Sequence, residues 1–327
     1  MRMADAGEFG LIAHLRRMLQ EKGEDLVRGV GDDTAVFRAR EGGLWAFTAD
    51  AMVERVHFDL RYVSWYALGY KSLAVNLSDL AAMGGSGPSF ALVTLGLEDD
   101  TEIEAVEAMY RGMRECGEEF SCLVVGGDVV RSPQQVFISV SLVGFIHEDR
   151  FITRDGALPG QVVMVTGYLG DSYLGLKWLM GGGGEENECA GKHLYPRPRL
   201  EEGKLALALG ATAAIDVSDG LERDLGHICE ESGVGAEIVM ERVPLSPAAL
   251  ETAKKLGEDP AGAALFGGED YELILVADKK DVPAIRAELR VTVIGRITGG
   301  TGVRVLDTSG REINVERSGY EHFKEGR

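Results

Sequence analysis

Short, β-branched apolar runs alternate with longer stretches of helical periodicity along most of this sequence, and that alternation limits the chain to an α/β architecture. In the first half the strand pattern falls on Leu44–Thr48, Ser89–Leu95, Leu123–Val125 and Val136–Phe145. Helical spacing there covers Glu8–Lys22, Trp65–Met83 and Thr101–Phe120. The second half repeats the style, with strands at Val162–Thr166, Ala213–Val217, Ala236–Met240, Glu272–Val276 and Val291–Ile297. Its helices fall near Ser172–Met180, Leu200–Leu209 and Leu221–Ser232. The polar stretch Glu148–Gly160, with Gly156, Pro159 and Gly160, breaks the two halves apart. The reading is therefore two α/β domains, residues 1–148 and 149–327, facing each other across a cleft that carries the chemistry. Gly181–Gly191 (GGGGEENECAG) reads as a mobile surface loop.

Charge narrows the function. With 34 Lys and Arg against 53 Asp and Glu, the net charge of −19 disfavours nucleic acid and anionic membrane, and no basic stripe offsets it. Four cysteines without a CxxC pair argue against structural zinc and for a reducing, cytoplasmic setting. The N-terminal helical segment is too short and too interrupted in its apolar face for a signal peptide, and no apolar run reaches membrane-spanning length.

The acidic residues themselves are informative. Asp32 and Asp33 lie in Gly29–Thr34, Asp50 ends the run Leu44–Asp50, and Asp128 follows Leu123–Gly127. Asp216 and Asp219 come from Ala214–Gly220, and Asp79 sits on the helical segment Val75–Leu80. Strand ends beside glycine are where open α/β sheets place ligands. Taken singly, an aspartate beside glycine is a turn residue or helix cap, and Asp32 reads as solvated or capping. Taken together, carboxylates that converge without neighbouring Lys or Arg repel one another unless a cation joins them. Oxygen donors without Cys or His point to a hard cation, Mg²⁺ or Mn²⁺, which shares its shell with substrate phosphates. There is no GxxxxGK[ST] loop and no protein-kinase signature, so a nucleotide would be held by metal, backbone N–H groups and an occasional Arg. Gly126-Gly127 and Gly267-Gly268 are candidates for that backbone role.

Eight segments carry a family resemblance. GVGDDTAV (29–36), VERVHF (53–58), YKSLAVNLSDLAAMGG (70–85), GGDVVRS (126–132), ITRDGALPG (152–160), AIDVSDGLERDLGHI (214–228), FGGEDYEL (266–273) and GYEHF (319–323) resemble the thiamine-monophosphate kinases, in the family's order. The SDGL and GGEDYEL segments best separate that family from its relatives that make aminoimidazole ribonucleotide or selenophosphate. The resemblance implies ATP-dependent phosphorylation of thiamine monophosphate to thiamine diphosphate; for a phosphate acceptor and this aspartate set, the chemistry expected is direct in-line transfer assisted by several Mg²⁺ ions. The resemblance implies metal ligation by Asp33, Thr48, Ala49, Asp50, Asp79, Asp128, Asp216 and Asp219, with Asp50, Asp128 and Asp219 central to catalysis. By the same resemblance, Tyr110, Gly127, Asp128, Arg154 and Ser218 contact nucleotide, and His57, Glu269 and Tyr320 contact the thiamine substrate. It also implies a homodimer whose N-terminal sheets pair into a barrel, and a C-terminal α/β sandwich.

Three positions depart from the family pattern. Ala49 replaces a hydroxyl residue and could offer a metal only its carbonyl; Val129 replaces threonine; Arg55 replaces glycine and adds charge near the thiamine end. From the residues alone, His57 between Val56 and Phe58 reads as a packed histidine, Arg154 as a surface ion pair and Lys71 as a solvated helix residue. Tyr320 reads equally as an anchor for the tail or as an aromatic that stacks on a thiamine ring by a cation–π contact. Two rival functions remain: another ATP-using enzyme of the same superfamily, or a nucleotide- or metal-binding protein with a dead site. The first cysteine, Cys116, lies far from the N-terminal position a selenide enzyme would use.

Overall fold

The computed structural model describes residues 25–29, 32–38, 42–146 and 150–313. The expected helix Glu8–Lys22 and Tyr320 lie outside these. Two six-stranded sheets organise the chain. The first is built from β1 (Leu26–Arg28), β2 (Ala35–Arg38), β3 (Leu44–Val53), β4 (Ser86–Leu97), β5 (Cys122–Arg131) and β6 (Phe137–Ile146). Their spatial order is β1-β2-β3-β6-β4-β5. Within this sheet, among the described residues, only β4 and β5 pair in parallel, through the crossover helix Ile103–Phe120.

The second sheet contains β7 (Val162–Thr166), β8 (Ala211–Asp216), β9 (Gly235–Val239), β10 (Leu273–Ala277), β11 (Val291–Thr298) and β12 (Gly302–Leu306). Its order is β12-β9-β11-β7-β10-β8, and β10 is buried along its whole length. Such a strand reads as a continuous apolar run, here LILVA, because both of its faces are covered.

Helix α1 (Trp65–Ala82) explains how the halves meet. Ser64 caps it by accepting a hydrogen bond from the Ala67 N–H at 3.2 Å. Buried residues occur all around the helix, which therefore has no solvated face. It contacts β3 and β6 of the first sheet and β8 of the second. Whatever polar groups α1 carries are consequently held at the junction of the two halves.

Two readings of the sequence need correction. Part of the predicted mobile loop is the helix Glu188–Leu194, started by the Asn187 side chain, which accepts from the Cys189 and Ala190 N–H groups at 2.9 and 3.2 Å. Asp50 does not end its strand: β3 runs on to Val53, and its ladder with β6 continues to the Val53–Phe137 pair. All four cysteines are free and buried, and no described helix is long and apolar enough to cross a membrane.

Candidate active site

Between the sheets lies a cavity of about 1160 Å³. That is room for more than one drug-sized molecule. Asp33, Thr48, Ala49, Asp50, His57, Asp79, Arg154, Asp216, Ser218, Asp219 and Glu269 all line it. They come from the turn before β2, from β3 and the loop after it, from α1, from the segment before β7, from the end of β8 and from the turn before β10. Residues far apart in sequence are thus brought to one cavity by the packing of the two sheets around α1.

Three of the carboxylates have a hydrogen-bonded support. Thr48 Oγ1 donates to Asp79 Oδ2 at 2.5 Å, and Ser78 Oγ donates to Asp216 Oδ2 at 2.6 Å. The Arg154 guanidinium grips Asp33 with two bonds, 2.7 and 3.2 Å. Carboxylate oxygens of Asp33, Asp79 and Asp216 lie within 4.8 Å of one another. Burial pushes the Asp50 carboxyl up to about 6, with Asp33 adding to the effect. Burial and then Asp33 push Asp216 up to about 7, against the Ser78 hydrogen bond and Arg154. Asp79 is raised well above the carboxylate range by burial, then by Asp50, Asp216 and Asp33. Clustered oxygen anions that resist ionising together, with no thiolate among them, fit a hard divalent cation. Ala49 lines the same wall, but its methyl group offers no donor atom.

The structure changes the reading of several side chains. Asp32 is not solvated: its side chain has no exposed area, it ion-pairs with Arg28 at 2.8 Å, and burial pushes it up to about 7. Arg154 is not a surface residue but the partner of Asp33. His57 lines the cavity, and its Nδ1 accepts from the Val53 N–H at 3.0 Å, so the neutral ring carries its proton on Nε2. Asp270 turns inward and accepts from the Gly170 and Ser172 N–H groups at 2.7 and 3.0 Å. Lys71 is buried, as developed below.

Asp224 was not singled out by the sequence reading. Its Oδ2 accepts three backbone N–H bonds, from Ser218, Asp219 and Gly220, each at 3.0 Å. It thereby fixes the turn that presents Ser218 and Asp219. The signal was present: an acid in the first turn of the helix Leu221–Ser232, directly after a glycine-containing loop.

The remaining nucleotide candidates lie elsewhere on the chain. Gly127 and Asp128 are exposed on the edge strand β5, and the Asp128 carboxylate accepts from the Val129 N–H at 2.9 Å. Tyr110 lines a second, shallower cavity of about 910 Å³ between the helix Ile103–Phe120 and β5. A single chain thus divides the predicted set into a cleft group and an edge group.

Two six-stranded sheets, with buried aspartates converging on the cleft between them, define an architecture that agrees with two family models. The AIR synthase related protein N-terminal domain matches residues 31–146, and the AIR synthase related protein C-terminal domain matches residues 159–308. The thiamine-monophosphate kinase of Aquifex aeolicus is 39% identical over 327 residues, covering 99% of this chain and 100% of that protein. That of Bacillus subtilis is 35% identical, covering 97% and 99%. The solved structure of AaThiL complexed with AMPPCP and TMP superimposes with a TM-score of 0.88 at 38% identity, over 98% of this chain and 99% of that one. The chain belongs to the thiamine-monophosphate kinase family.

Proposed function

We propose that this chain transfers the γ-phosphoryl group of ATP to the phosphate of thiamine monophosphate, releasing ADP and thiamine diphosphate. The observation that carries the reading is the convergence of Asp33, Asp79 and Asp216, with Asp50 close to Asp33, in one cleft of a member of that family. Mg²⁺ bound by these carboxylates, together with Thr48, Ala49 and Asp219, would supply the charge neutralisation that a triphosphate and a second phosphate need in order to approach.

The acceptor phosphate is already ionised at neutral pH, so the reaction needs no strong general base. An acceptor oxygen forms its bond to the γ-phosphorus as the bond to the β–γ bridging oxygen breaks, and the chain's task is alignment. Arg154 and Ser218 serve the nucleotide end, while His57, Glu269 and Tyr320 serve the thiamine end. Transfer without a phosphoenzyme is expected to invert configuration at a chiral γ-phosphorus; retention would exclude it. A coupled ADP-release assay tests the whole reading. Turnover is expected with thiamine monophosphate, and not with thiamine or a purine ribonucleotide as acceptor; the opposite preference would overturn the assignment.

The same reading makes the working unit a homodimer. In support, β5 is an open sheet edge among the described residues, with Leu123, Val125 and Val129 exposed at 62%, 58% and 63%. Long apolar edges of this kind call for a pairing partner. A second copy there would bring Tyr110, Gly127 and Asp128 into an environment that a single chain lacks. Val125→Glu is expected to yield a monomer by sedimentation and to abolish turnover. A monomeric variant with full activity would separate the edge group from the site.

A further inference from the structure

Lys71 is a charged residue that the proposed reaction leaves without a task. It projects from α1 and is 3% exposed. Its Nζ lies 3.0 Å from Glu269 Oε1 and 3.4 Å from His193 Nε2. An ammonium can only donate, so His193 Nε2 accepts and the neutral ring carries its proton on Nδ1. That Nδ1 lies 3.0 Å from Ser172 Oγ and 3.4 Å from Glu269 Oε2. His193 is 2% exposed, and burial, then Lys71, push its pKa down to about 3, which keeps the ring neutral. Lys71, from the first half of the chain, thus bridges Glu269 Oε1 and the His193 ring, both from the second.

The backbone around Glu269 is equally constrained. Glu269 and Tyr271 adopt left-handed φ values of 63° and 51°, which cost a non-glycine residue energy that neighbouring contacts must offset. The Glu269 N–H donates to Ser218 O at 2.8 Å, the Tyr271 N–H donates to Val217 O at 2.9 Å, and Asp270 is anchored as described above. Gly268 lets the turn sit on Ser218, because a Cβ there would lie 2.1 Å from the Ser218 carbonyl oxygen. The Glu269 side chain is 28% exposed and lines the cleft. A carboxylate fixed at its backbone and at Oε1, yet open to the cavity, is a preorganised anion.

We propose that Lys71 and His193 are positioning residues that hold Glu269 as a fixed anionic contact for the cationic ring of the thiamine acceptor. The proposal rests on the reading of Glu269 as a thiamine contact and extends it to two buried residues that would never touch substrate. A flexible glutamate would lose side-chain freedom when the acceptor binds, whereas one already ordered by Lys71 loses little. Lys71 also makes ionised Glu269 tolerable at a buried site, since burial alone would favour its protonated form. A merely structural ion pair between the halves would affect binding of both substrates, because both occupy the cleft. A positioning pair affects the acceptor alone.

The test is steady-state ADP release with each substrate varied in turn, on the full chain and on Lys71→Met, Lys71→Arg, Glu269→Gln and Lys71→Met/Glu269→Gln. Lys71→Met is expected to raise KM for thiamine monophosphate about tenfold, the scale of a lost charge-assisted hydrogen bond, with KM for ATP within about twofold of the parent. Lys71→Arg is expected to recover most of that loss. The double variant is expected to match Glu269→Gln, since Lys71 acts only through that carboxylate. It leaves no buried anion without its cation, so it keeps the test open where Lys71→Met alone fails to fold. Equal rises in both KM values, or losses that multiply in the double variant, would overturn the proposal. An unchanged acceptor KM in Glu269→Gln would instead remove Glu269 from the thiamine end, and absence of turnover in the parent would remove the proposed reaction.

Discussion

Asp50→Asn is expected to lower turnover by about a hundred- to a thousandfold, the range found when one preorganised electrostatic contact is removed from an active site. The folded protein is expected to survive the change. Asparagine has the same shape as aspartate and fits the same position on β3, whose backbone N–H is bonded to Asn76 Oδ1 at 3.1 Å. What disappears is a negative charge at a point where burial and Asp33 already oppose ionisation. The metal-free variant should therefore unfold at the same temperature as the parent or above it, because a repulsive charge has gone. The two readouts separate a functional loss from a folding defect: ADP release with thiamine monophosphate, and thermal unfolding in chelator. Near-normal turnover would remove Asp50 from the site, and a large drop in unfolding temperature would mean that the carboxylate is structural.

The strands and helices that position the cleft were largely legible in the sequence because they obey one period each. Val162–Thr166 and Leu221–Ser232 have the limits their patterns predict. The helices Pro247–Leu256 and Pro260–Phe266 went unassigned, although each begins with a capping side chain, Ser246 or Asp259, followed by proline. Both are short, and most of the apolar residues in each are alanines, which give a weak hydrophobic period. Among the site residues, Asp33, Asp79 and Asp216 could be recognised as candidates, but their convergence depends on α1 crossing between two sheets, which no local pattern encodes. Lys71 illustrates the limit most directly. A lysine on a helix is a solvated residue by default. Here it is buried because its partner Glu269 arrives from nearly two hundred positions later in the chain.

The metal-free protein is expected to lose stability as pH rises from 6.5 to 8, and Mg²⁺ is expected to restore it chiefly at the upper end. The sign follows from the buried carboxyls. Asp216 sits at about 7 in the folded state against an ordinary 3.8, and Asp32 likewise at about 7, both chiefly through burial; Asp79 is raised well above that ordinary value, also by burial first. Each therefore holds its proton in the folded chain at pH values where the unfolded chain has released it. The resulting stabilisation is complete below the unfolded value and is lost as pH climbs through the folded one. A displacement of one pH unit is worth about 1.4 kcal/mol, so several such groups outweigh an ordinary surface contribution. Groups of opposite sign act lower on the scale. Burial holds His193 at about 3 and His227 at about 4 against an ordinary 6.5, and these two favour folding as pH rises only up to that ordinary value. Starting the comparison at pH 6.5 leaves the aspartates dominant. A divalent cation prefers the ionised cluster, so at pH 8 it binds without displacing protons, whereas at pH 6.5 it must compete with them. Thermal unfolding in EDTA and in millimolar MgCl₂ at both pH values measures the effect. The Mg²⁺-induced rise should be about 5 °C larger at pH 8, taking a few degrees per kcal/mol for a chain of this size. Equal rises at the two pH values would mean that the cation acts away from the cleft carboxylates, and no rise at either would leave their convergence without a cation to justify it.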